Sequence, residues 1–176
     1  MPDTNLRLIR NGQLEADSIR LFDDHLTANS ALYLPPDEAH WMVSFDTWLD
    51  KCDFLIKRKF PVAVLIPSDA DISRIVQVSV THAHLDAIAF IAINFPTYTD
   101  GRGFSLAQML RSQLGWKGEL RAVGDVMIDT MHYLARCGFD SFLVKAGHDA
   151  QAALNALTTF TVHYQKSYSQ PFKAPL

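Results

Sequence analysis

Hydrophobic and polar positions follow two different rhythms along this chain. Residues 60–67 (FPVAVLIP) and 90–95 (FIAINF) are short, nearly unbroken apolar runs, closed by Pro67 and Pro96. Such runs predict buried strands. ELRAVGD (119–125) and DSFLVK (140–145) predict two more strands, and VQVSV (76–80) another. Between the strands the spacing of apolar residues becomes helical. In SLAQMLRSQLG (105–115), Leu106, Met109, Leu110 and Leu114 share a face, and Gly115 is a stop. VMIDTMHYLARCG (126–138) predicts a helix ending at Gly138, and DAQAALNALTTF (149–160) one capped by Asp149. SDADISRIV (68–76) opens with capping residues, and HLDAIA (84–89) predicts a helical turn.

The first third of the chain reads differently. LRLIRNGQLEAD (6–17) predicts a hairpin turned at Asn11-Gly12. Residues 23–43 show no period and predict a loop with irregular pieces. SFDTWLDKCDFLIKRK (44–59) predicts a helix capped by Ser44 or Asp46. From residue 60 onward strands and helices alternate, which implies right-handed βα units and a mainly parallel sheet. The four or five strands counted there do not close an eight-stranded barrel. The expectation is a single α/β domain over 1–176, with a small mainly parallel βα sheet, half-barrel-like or open three-layer. It comprises an N-terminal β-hairpin, loop and helix (1–59), a βα core (60–165) and a mobile tail (166–176). FTVHYQ (160–165) is the expected edge strand, and an uncovered sheet edge predicts a homo-oligomer.

Composition narrows the function classes. The 176 residues carry a net charge of -3, with 48% hydrophobic and 20% charged residues. There is no basic stripe of the kind nucleic-acid binding needs and no apolar run of membrane-spanning length. The N-terminus lacks a secretory apolar segment, so a cytoplasmic protein is expected. Two cysteines, Cys52 and Cys137, cannot supply a four-cysteine iron–sulfur site within one chain. No G-x-G-x-x-G follows a strand, and the P-loop spacing is absent. No intrinsic cofactor is expected.

Candidate chemistry gathers where parallel α/β sheets bind ligands, beyond the carboxyl ends of the strands. Four connections lie there: PSDAD, PTYTDGRGFS, GDVMIDT and KAGHDA. The second supplies Tyr98, Thr99, Asp100, Gly101, Arg102, Gly103 and Ser105. Its glycines permit close backbone approach, Ser105 is a plausible helix cap, and Arg102 offers a fork for an oxyanion. The competing reading is structural, with Asp100 paired to Arg102 or Arg121. Arg121 lies within a strand and needs a partner, and Asp125 follows Gly124 at the strand end. Asp129, Lys145 and His148 complete the set. The anion-binding candidates are therefore Asp100, Gly101, Arg102, Gly103, Ser105, Arg121, Asp125 and Lys145. His82 and His84 would share a strand face, but no third ligand is evident and no metal is expected. Cys137 at a helix C-terminus reads as a packed thiol, not a nucleophile.

FPTYTDGRGFSLAQMLRSQLGWKGELRAVGDVMIDTMHYLARCGFDSF (95–142) resembles a bacterial family of unknown function, DUF934, whose members are described as oxidoreductases of sulfite reduction. The matching positions are Asp100, Gly101, Arg102, Gly103, Ser105, Arg111, Arg121, Gly124, Asp125, Arg136 and Gly138. The resemblance implies an accessory or oxidoreductase-associated protein of assimilatory sulfite reduction, with the sulfite reductase haemoprotein as a partner. It supplies no mechanism. The alternative is a stand-alone α/β enzyme acting on a phosphorylated or carboxylated metabolite.

Overall fold

A computed structural model describes residues 6–22, 33–71, 73–74 and 85–160. The strand expected over 76–80, the His82/His84 pair and residues 161–176, with the expected edge strand and tail, lie outside the described residues. Eight strands form one sheet in the order β2-β1-β8-β7-β6-β5-β4-β3. They are β1 (Leu6–Arg10), β2 (Gln13–Ala16), β3 (Arg20–Leu21), β4 (Trp41–Ser44), β5 (Val62–Pro67), β6 (Ile88–Phe95), β7 (Leu120–Gly124) and β8 (Ser141–Leu143). From β3 to β8 every neighbouring pair is parallel. The β1–β2 hairpin adds antiparallel to β8. Its turn places both Asn11 and Gly12 at positive φ (53° and 72°), as a two-residue hairpin requires.

The helices that lie wholly within the described residues are α1 (Phe45–Leu55), α2 (Arg102–Ser112), α3 (Met131–Cys137) and α4 (Ala150–Ala156). Ser44 caps α1, accepting from the Thr47 amide at 3.1 Å. Asp149 caps α4, accepting from the amides of Gln151 and Ala152. The helix expected from residue 126 begins later. A 3₁₀ turn, Ile128–Thr130, leads into α3, and Gly138 ends it in the left-handed region.

Two strands were hidden in the sequence. β3 lies between the expected hairpin (6–17) and loop (23–43), β4 takes the end of that loop and the first residue of the expected helix, and they extend the parallel sheet beyond the expected four or five strands. Each is short, and neither has an apolar run long enough to signal a strand.

Strand alternation sorts the side chains onto two faces. Val43, Val64, Ile66, Ile91, Ile93, Leu120, Ala122 and Phe142 join the main core with the helices. Ala63, Phe90, Ala92 and Val123 form a second, smaller cluster, against which Ile19, Met42, Leu65 and Leu143 pack. The sheet curls around this second cluster as a half-barrel. Connectivity shows why it must. The outermost strands, β2 and β3, are joined only by Asp17, Ser18 and Ile19. Four Cα steps span at most about 15 Å, whereas eight flat strands would be roughly 34 Å wide. The two edges must therefore approach each other, and the linker becomes a strap across the concave side. No helix among the described residues is long and apolar enough to cross a membrane.

Candidate functional site

The C-terminal rim of the sheet brings loops from four strands together. β5 ends at Pro67, and Ser68 and Asp69 follow immediately. β6 ends at Phe95 and leads through Thr97–Thr99 to Asp100 and α2. Asp100 is the hub of the first cluster. Its carboxylate accepts from Arg102 Nε (2.9 Å) and Nη2 (2.8 Å), from the Arg102 amide (3.1 Å) and from Ser68 Oγ (2.7 Å). Arg102 also reaches Asp69 at 3.3 Å. The Arg102 fork, followed by the Ser68 hydroxyl, holds the Asp100 carboxyl well below the usual carboxylate range.

Asp125 organises the second cluster. Its Oδ2 accepts from the Tyr98 amide at 2.9 Å, and its Oδ1 lies 2.7 Å from Lys145 Nζ. Lys145, and then the Tyr98 amide, lower the Asp125 pKa. The loops are tied by backbone as well: the Asp125 amide donates to Phe95 O, and the Lys145 amide to Val126 O.

The two glycines of the DGRG turn play different parts. Gly101 has φ -72° and serves as the N-cap of α2 without a side-chain bond, so Ser105 is not the cap but an exposed residue inside the helix. Gly103 is needed for packing, since a Cβ there would lie 2.6 Å from two ring carbons of Phe95. Around Gly101 a Cβ would meet nothing within 4 Å. Gly103→Ala should therefore destabilise by about 1–3 kcal/mol, while Gly101→Ala leaves stability unchanged or raises it by about 0.4–1 kcal/mol. Urea unfolding of the two variants checks this contrast.

Arg121 does not reach the rim, and its partner is not Asp125. It points into the concave face and is 3% exposed. Nε and Nη2 donate to Glu119 Oε1 (3.0 and 2.7 Å), Nη1 donates to Asp17 Oδ1 (3.3 Å), and the guanidinium lies 3.9 Å from the centre of the Phe90 ring. Glu119 and Arg121 are two apart on an extended segment and share a face, a signal the sequence carried. Nothing in the sequence pointed to Asp17, which is 104 positions away.

Arg111 is a brace. It donates to the carbonyls of Gly138, Trp116 and Gly118 and pairs with Asp140, tying α2 to the turns on either side of β7. Residues 63–174, which include all of these positions except Asp17, match the sequence model of a family described as bacterial protein of unknown function, DUF934. The chain belongs to this family. It matches no curated protein.

In this DUF934 protein both thiols are buried. Burial pushes their pKa values up, and the Cys137 sulfur meets Gln108 Nε2 at 3.7 Å. Among the described residues no group of three His, Cys, Asp or Glu side chains is placed to hold a metal. Ser68 and Asp69 were not singled out in the sequence, although they directly follow a strand that ends in proline.

Proposed function

We propose that this DUF934 protein is an accessory component of assimilatory sulfite reduction that binds a small oxyanion at the C-terminal rim of its sheet. The observation that carries the reading is the order of burial in the two ion pairs. Asp100 is 9% exposed beneath Arg102 at 59%, and Asp125 is 15% exposed beneath Lys145 at 47%. In each pair the acid faces inward and the cation outward. Arg102 is held in one orientation by its bidentate contact to Asp100, and its third nitrogen, Nη1, makes only the exposed 3.3 Å contact to Asp69, which an arriving anion would replace. The exposed Asp69 beside it favours an anion that carries a proton, such as bisulfite or hydrogen phosphate, over a fully ionised one. The sulfite reductase haemoprotein as partner rests on the family resemblance alone.

Calorimetric titration with sulfite, sulfate and phosphate tests the anion site. Arg102→Ala should weaken binding roughly ten- to a hundred-fold, because a charge-assisted contact contributes about 1.5–3 kcal/mol. The fold should persist, because Arg102 itself is 59% exposed, but some stability should be lost with the first support of the nearly buried Asp100 carboxylate. No binding by the wild type at millimolar anion sinks the proposal. Co-purification of the haemoprotein from sulfate-grown cells tests the partner separately. A rim at the strand C-termini is also where parallel α/β enzymes hold substrate, so turnover of a phosphorylated or carboxylated metabolite by the isolated protein would favour the stand-alone enzyme.

Acid should act on the same rim. A carboxylate with a depressed folded-state pKa contributes stability above its unfolded pKa, and that contribution is lost as pH falls through the folded value. Asp100 and Asp125 both fall in this class. Stability should therefore begin to decline below about pH 4, and Asp100→Asn should flatten that decline in a pH series of thermal melts.

A further inference from the structure

The concave face carries a trough that the rim ion pairs do not line. It measures about 140 Å³ and lies toward the strand C-termini. Ile19 of the strap, Met42, Leu65, Phe90, Val123 and Leu143 give it apolar walls. A single six-membered ring suits such a space, since an apolar cavity of about 150 Å³ holds benzene. The two ionic groups of the trough, Asp17 and Arg121, are paired with each other at 3.3 Å. A charged guest would therefore find no free counter-charge.

One uncharged polar side chain opens into this apolar space. Asn94 lies on β6, an interior strand, and lines the trough. Its neighbours on the same face are Pro67 in β5, Val123 in β7 and Ala92 in β6, and none has a polar side chain. Asparagine is depleted in strands. Here its side-chain amide makes no hydrogen bond among the described residues. The residue is half-buried and the amide is not sealed off, so a guest in the trough can reach it. Gly124 makes room for it: a Cβ there would lie 2.6 Å from Asn94 Oδ1. The amide offers an acceptor and two donors side by side.

We propose that this trough binds a small neutral ring carrying a cis amide, the class of six-membered lactams and cyclic imides. The ring N–H donates to Asn94 Oδ1, and the ring carbonyl accepts from Asn94 Nδ2. Asparagine pairs in the same two-bonded way with the edge of adenine. A ring suits the amide because its N–H and C=O stand on one side, whereas a trans amide turns them apart. The apolar walls then cover the rest of the ring. The site is separate from the oxyanion rim and does not depend on it.

2-Pyridone and N-methyl-2-pyridone are the probes, titrated into the full-length protein by calorimetry and followed by NMR of the Leu65, Val123 and Leu143 methyl groups. The two compounds share a ring and a carbonyl, and only the first has the N–H. 2-Pyridone should bind with a Kd on the order of 1 mM, as expected for so small a ligand, and should shift those methyl signals. N-methyl-2-pyridone should bind at least about tenfold more weakly, because the two-bonded pair cannot form. Asn94→Leu removes no hydrogen bond of the protein and nearly keeps the side-chain size, so it should fold. It should bind 2-pyridone at least about tenfold more weakly than the wild type. If the variant does not fold, the comparison of the two compounds on the wild type decides alone. The proposal is overturned if 2-pyridone does not saturate by about 10 mM, if those methyl signals stay unshifted, if the N-methyl compound binds as tightly, or if folded Asn94→Leu binds 2-pyridone like the wild type.

Discussion

Arg121→Ala lowers the melting temperature of this protein by roughly 6–20 °C. The guanidinium is 3% exposed and holds Glu119 and Asp17, which are 21% and 23% exposed. It also donates to Ser141 Oγ at 3.3 Å and stacks on Phe90. Truncation leaves Asp17 without its cation and Glu119 with only one, Arg10 at the longer distance of 3.8 Å. Removing one partner of a buried ion pair destabilises by about 3–5 kcal/mol. For a chain of this size each kcal/mol shifts the melting point by about 2–4 °C. The loss also frees the strap, because Asp17 is its anchor on the concave face. A triple variant, Arg121→Met with Glu119→Gln and Asp17→Asn, should recover most of the stability, since it removes the charges together. Differential scanning calorimetry compares the variants. If Arg121→Ala melts within about 2 °C of the wild type, the network does not hold the strap.

The parallel core was legible because its strands are buried on both faces and its helices on one. FPVAVLIP and FIAINF announce themselves by unbroken apolarity, and α2 by the spacing of Leu106, Met109 and Leu110. β3 and β4 were not legible, because Arg20-Leu21 and Trp41–Ser44 gain their pairing from the neighbouring strands rather than from any local pattern. The same division applies to the site. The pairing of Asp100 with Arg102 is local, two residues apart on one turn, and so is legible from the sequence. The partners of Arg121 depend on a strap that crosses the sheet, and only the tertiary fold brings Asp17 to β7. Strand alternation puts Arg121 and Ala122 on opposite faces. What it could not supply was that the concave face is closed over by a linker, which places Arg121 in a trough and not at the rim.

Gly124→Ala should destabilise the protein by at least about 3 kcal/mol and unseat the rim as well. Gly124 ends β7 with φ +92°, a region that costs an L-residue about 1–2 kcal/mol. Space is short too. A Cβ there would lie 2.4 Å from the Phe95 carbonyl oxygen and 2.6 Å from Asn94 Oδ1. The carbonyl cannot swing aside cheaply, because Phe95 pairs with Gly124 in the sheet and its oxygen accepts the Asp125 amide at 2.8 Å. Relief of the clash must therefore displace Asp125, the residue that holds the Tyr98 amide and Lys145. Two measurements follow from one substitution. Urea unfolding should show the lost stability, and oxyanion titration at a temperature where the variant is folded should show weaker binding than the wild type. Gly101→Ala is the control, as it changes a glycine on the same rim with open space around it and an ordinary φ. A Gly124→Ala protein within about 1 kcal/mol of the wild type would mean that the β7–Asp125 turn tolerates a side chain, and that the rim is not built on this glycine.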